Sequence, residues 1–79
     1  MESYYKQAID SMRDSIQHAN MHAELGNLLD NKLWLGSFAA WCKALTHMGF
    51  EGDVKLAVVP NACTKVERVT VNGLTIFTS

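Results

Sequence analysis

The stretch Leu33-Trp34-Leu35-Gly36-Ser37-Phe38-Ala39-Ala40-Trp41-Cys42-Lys43-Ala44-Leu45-Thr46-His47-Met48-Gly49 holds both tryptophans of the chain and one formally charged residue, Lys43. Trp34, Phe38, Trp41, Leu45 and Met48 recur at spacings of three and four, so they form one helical stripe, which Leu35 and Cys42 widen. Such an arc is broader than one partner helix covers, so the segment is a buried helix or an interface. Gly49 is placed to take a left-handed position after the last turn, with Phe50 folding back onto Leu45 as in a Schellman ending. With Asp30 as N-cap, this predicts helix 2 from Asn31 to Met48. Gly36-Ser37 interrupts the helix propensity and marks either a bend or a second start capped by Ser37.

Toward the N-terminus, Tyr5, Ile9, Met12, Ile16, Ala19 and Ala23 again alternate spacings of four and three. Helix 1 is read from Ser3, as N-cap, to Leu25. Alanines 19 and 23 allow another helix to come close, and Gly26-Asn27 supplies the stop, with Leu28 and Leu29 anchoring the connection. So short a link implies an antiparallel helix pair.

Beyond Phe50 the period changes to two. Val54 to Val59 reads as a strand, with Pro60 marking its end or an edge, and residues 61 to 64 as a loop. Asn72-Gly73 is a strong type I′ hairpin signal, because both residues accept positive φ. A two-residue turn makes Val71 face Leu74 and Val69 face Ile76 on one side, with Thr70 and Thr75, and Arg68 and Phe77, on the other. The strands are then 65 to 71 and 74 to 78. The predicted architecture is one α+β domain over residues 1 to 79, ααβββ, with two antiparallel helices on one face of a three-stranded antiparallel sheet.

A chain of 79 residues makes one domain and buries only a little above ~60% of its unfolded surface. Its net charge of −1 gives no basic excess for non-specific binding to a phosphate backbone. The distribution is uneven: residues 1 to 30 carry five acidic against two basic side chains, and residues 31 to 79 carry three against five. Two cysteines are too few for a disulfide scaffold and lack zinc-knuckle or redox spacing, which fits a reduced, cytosolic setting. The polar start MESYYKQAID is unlike a signal peptide, and no stretch reaches the ~20 apolar residues of a membrane span, so no membrane association is expected.

His18 and His22 stand one turn apart with Asp14 a turn earlier, a spacing that can chelate a divalent ion. The glutamate of the HExxH motif is absent, with Ala19 in its place, and a solvated stripe is the better reading; a metal site at His18 and His22 is an alternative. Cys42 lies within the apolar helix, and no Gly-x-Ser-x-Gly, P-loop or GxGxxG pattern occurs, so neither an enzyme nor a cofactor is expected. As a helix-turn-helix, Phe38 to Met48 offers base edges only Lys43, Thr46 and His47. The better nucleic-acid alternative is the outer hairpin face, with Lys65, Arg68, Thr70, Thr75 and Phe77.

The favoured expectation is a small protein-interaction module that binds a partner protein or forms a homodimer. The candidate interface is Trp34, Trp41, Tyr4 and Tyr5 with the acidic residues Asp10, Asp14 and Glu24, suited to a basic partner. A role as a regulator or inhibitor, including an accessory protein of a phage or mobile element, is an expectation from the short length and the lack of a catalytic motif, and no residue specifies it.

Overall fold

The structure, a computed structural model, describes residues 2–79. Its elements are α1 (Glu2–Leu25), α2 (Leu28–His47), β1 (Gly52–Val58), β2 (Thr64–Val71) and β3 (Leu74–Thr78), in the sheet order β1-β2-β3 with both pairings antiparallel. The two helices pack on each other, and α1 lies against β2 and β3, giving the expected two-layer α+β domain.

Both helices end as the glycines dictate. Gly49 has φ +90°, the Phe50 N–H donates to the Leu45 carbonyl at 3.1 Å, and the Gly49 N–H donates to Thr46 at 3.0 Å. This is the paired bonding of a Schellman cap. Gly26, at φ +74°, ends α1 in the same way, with the Asn27 N–H on the His22 carbonyl at 2.9 Å.

The starts differ from the sequence reading. α1 already includes Glu2, so Ser3 lies inside its first turn. α2 begins at Leu28, which puts Asp30 in the first turn instead of at the cap and makes Leu28 and Leu29 exposed helical residues, not anchors of the link. Gly36-Ser37 causes no break; the helix runs through it, and the Ser37 hydroxyl meets that of Ser15 on α1 at 3.0 Å. The buried line of α2 is Asn31, Phe38 and Leu45, a seven-residue repeat, with Trp34 and Trp41 to one side and Leu35 and Cys42 to the other.

The core joins Ala8, Ile9, Met12 and Ile16 of α1 and Phe38 and Leu45 of α2 to Val66, Val69, Val71 and Ile76 of the sheet. Asn72 and Gly73, at φ 50° and 80°, form the expected hairpin turn. Val71 faces Leu74 and Thr70 faces Thr75, but a bulge then shifts the register, so that Val69 faces Phe77 and Arg68 faces Thr78. The extra residue, Ile76, is buried, and Phe77 packs against the core instead of joining Arg68 on the outer face. Leu74, on the same side of the hairpin as the buried Val69, Val71 and Ile76, is nevertheless 65% exposed at its end.

β1 starts two residues earlier than expected and ends one earlier. Val54 and Leu56 face the buried Val69 and Val66, which places them on the helix side of the sheet, yet both are exposed. A narrow apolar cleft of about 90 Å³ remains between the C-terminal half of α2 and β1, lined by Met12, Cys42, Leu45, Phe50, Val54 and Val69 among others.

Candidate functional site

The α1–α2 seam carries an open concavity. Ser15 and Ser37 are small enough for the helices to meet, and the same short side chains leave space above the contact. Trp34 and Trp41, one repeat apart on α2, stand on that side, and Asp10 and Asp14, one turn apart on α1, face them across an open groove of about 650 Å³. Ser3, Ser11, Ser15 and Ser37 give the groove hydroxyls, and Lys6 and Gln7 also line it. Both indoles are half-buried and line the groove; Trp41 also packs against the core, and Trp34 against His18.

His18 packs on Trp34 without lining the groove itself. Its ring lies on the Trp34 indole with centroids 4.2 Å apart and planes 17° from parallel, and its Nδ1 donates to the Asp14 carbonyl at 2.8 Å. The same nitrogen is 3.6 Å from the Asp14 carboxylate, an ion pair whenever the imidazole is protonated. Asp10 has Arg13 at 3.8 Å one turn on. Both carboxylates are exposed enough that these surface pairs leave them open to a ligand.

Four of the seven expected interface residues, Trp34, Trp41, Asp10 and Asp14, therefore meet in one place. The others do not. Tyr5 packs on Phe50 with centroids 4.8 Å apart and planes tilted by 31° and supports the core, Tyr4 is exposed without lining the groove, and Glu24 pairs with Lys65 of β2 at 3.3 Å.

The hairpin set divides as well. Register places Arg68, Thr70 and Thr75 on the outer face of the sheet, but Lys65 is drawn to Glu24 and Phe77 to the core. His18 and His22 point to different neighbours, His22 accepting from the Asn27 amide at 3.3 Å, and no cluster of three or more metal-ligating side chains occurs among the described residues. Cys63 is buried, and burial in apolar surroundings pushes the Cys42 thiol above its ordinary value of 9.0. Neither thiol is placed as an activated nucleophile.

Sequence reasoning overlooked the asparagines. β3 pairs only with Arg68–Val71, so the opposite end of β2 needs other partners on that side. Asn31 takes Thr64, donating to its carbonyl at 2.9 Å and accepting from its N–H at 3.0 Å, and Asn20 serves Val66 in the same way at 3.0 and 2.8 Å. Asn61 donates to the Ala23 carbonyl at 2.8 Å and accepts from the Cys63 N–H at 3.0 Å. The Asn20 and Asn31 amides each act as a short piece of neighbouring strand, whereas Asn61 ties the end of α1 to the loop before β2. Asn20 and Asn31 are poor helix formers inside helices, and that mismatch was the available signal.

Comparison with protein-family models, curated proteins and solved structures gives no match to this chain.

Proposed function

We propose that this protein is a non-enzymatic interaction module that uses the Trp34–Trp41 groove to hold a basic side chain of a partner protein, by preference an arginine. The observation that carries this reading is the joint position of two half-buried indoles and the carboxylates of Asp10 and Asp14 around one groove. A guanidinium lies flat on an indole face and donates to carboxylates at its edge, so it uses both features together. Tryptophan is also among the side chains enriched at the energetic centre of an interface. A role as regulator or inhibitor, acting in the cytoplasm by occupying a basic surface of its partner, is compatible with this chemistry.

The nucleic-acid alternative has less support, because its aromatic residue packs into the core and Lys65 is paired with an acidic neighbour. A peptide array separates the two. Wild type should retain arginine-rich peptides over lysine-rich ones and reject acidic ones, and Asp10→Asn/Asp14→Asn should lose them. Equal retention of all peptides, or retention unchanged in the double variant, overturns the groove reading.

A further inference from the structure

We propose that the chain forms a two-fold dimer by pairing β1 with β1 of a second copy, antiparallel and centred on Leu56, so that the sheet becomes six-stranded and continuous. This surface is distinct from the tryptophan groove, and the proposal stands independently of it.

The two sides of the sheet are treated differently. Beside β3, the bulge at Ile76 breaks the regular edge, the Arg13 guanidinium donates to the Ile76 carbonyl at 2.8 Å, and Asn20 and Asn31 close the stretch of β2 that β3 does not reach. These are among the devices by which proteins block strand addition. β1 carries another, the edge lysine Lys55, which Glu67 of its own sheet holds at 3.8 Å, and among the described residues it has neither a bulged residue nor a side-chain cap. The irregularity in its pairing lies between Lys55 and Leu56, where the extra residue is Glu67 on β2, so β1 itself is regular. Pro60 comes after the strand, and every N–H from Gly52 to Val58 is present.

The side chains point the same way. Val54, Leu56 and Val58 form the helix-side row of β1 and are 36%, 52% and 76% exposed, increasing along the strand. In an antiparallel two-fold pair, residues on the same face must oppose each other, so the axis passes midway between two copies of the same residue. Centred on Leu56, the register sets Leu56 against Leu56 and Val54 against Val58 of the second copy, leaving none of the three unpartnered. On the other face Lys55 meets Ala57, and each Lys55 already has Glu67 of its own sheet at 3.8 Å. Centred on Lys55, the pairing would oppose two lysines directly, which is unfavourable.

Area sets the expected strength. A seven-residue strand is about 24 Å long, and across the 16 to 19 Å short dimensions of the molecule it offers about 400 Å² per protomer. This is about half the ~800 Å² per partner of a standard interface, so the dimer should dissociate in the micromolar range instead of being obligate.

The test combines sedimentation with cross-linking. Wild type should pass from monomer to dimer between about 1 and 500 µM, and Leu56→Lys, at a site exposed in the monomer, should remain monomeric with an unchanged circular dichroism spectrum. Under mild oxidation Leu56→Cys should form a disulfide dimer, because residues opposed at the axis lie about 5 Å apart, within disulfide range. Val54→Cys should not, since its copies are about 14 Å apart in this register. A wild type that stays monomeric throughout, a dimer that survives Leu56→Lys, or cross-linking at Val54 equal to that at Leu56 overturns the proposal.

Discussion

Replacing Asn31 with alanine removes the side chain that joins α1, α2 and the start of β2. Its amide donates to the Ala19 carbonyl at 2.8 Å and the Thr64 carbonyl at 2.9 Å, and accepts from the Thr64 N–H at 3.0 Å, with only 1% of the residue exposed. At about 1 kcal/mol for each bond, the loss is about 3 kcal/mol, and stranding the Thr64 N–H without a partner pushes it higher. A 79-residue domain has a total stability of about 4 to 12 kcal/mol, so the variant should lose a quarter or more of it. Urea unfolding followed by circular dichroism is the assay, with an unchanged slope indicating the same two-state transition. Asn31→Asp keeps the acceptor but directs a carboxylate at two carbonyls. It should be at least as damaging at neutral pH and recover in part in acid, where the protonated carboxyl again donates. A loss below about 1 kcal/mol for Asn31→Ala would refute the assignment of this amide as the junction of the layers.

Gly26→Ala places a side chain at φ +74° and should cost about 1 kcal/mol, or about 4 to 8 °C in melting temperature, by thermal unfolding; an unchanged melting temperature would contradict the left-handed cap. The thiol of Cys42 is held protonated by burial, so its contribution to stability is complete below the ordinary value of 9.0 and lost as pH rises through the raised folded value. Wild type should therefore lose stability more steeply than Cys42→Ala above pH 9.0 in parallel denaturation series, and equal slopes would contradict that environment. Trp34→Ala should release His18 from its stacked position, shifting the imidazole proton resonances by NMR, whereas Trp41→Ala should leave them in place.

The features legible in the sequence were the local ones. The left-handed caps at Gly26 and Gly49 and the Asn72-Gly73 turn depend on backbone conformations that a few neighbouring residues determine, and the helical stripes follow from periodicity alone. The bulge at Ile76 was not legible, because the insertion of one residue depends on what β2 and α1 present to that strand. It turned Phe77 inward and removed the aromatic from the supposed outer patch. The tryptophans were expected on one helical stripe, but periodicity does not tell which flank meets a neighbour; the serines at positions 15 and 37 set the helix contact that leaves both indoles beside the groove. The acidic residues of α1 were visible as a set, yet only the docking of α2 selects Asp10 and Asp14 and leaves Glu24 to Lys65. Asn31 was read as the start of a helix, where an asparagine is ordinary, because its low helix propensity does not name its partners, 12 and 33 residues away.

The measurement closest to the central claim is titration of the intrinsic tryptophan fluorescence with a short arginine-bearing peptide and its glutamate counterpart. Wild type should show a saturable change with the arginine peptide only, weakening as salt rises, because the groove offers exposed carboxylates beside its indoles. Asp10→Asn/Asp14→Asn should lose the response, and Leu56→Lys, on a different surface, should keep it. A response of equal size to both peptides, or one that the double variant retains, would contradict the assignment of the Trp34–Trp41 groove as a site for a basic side chain.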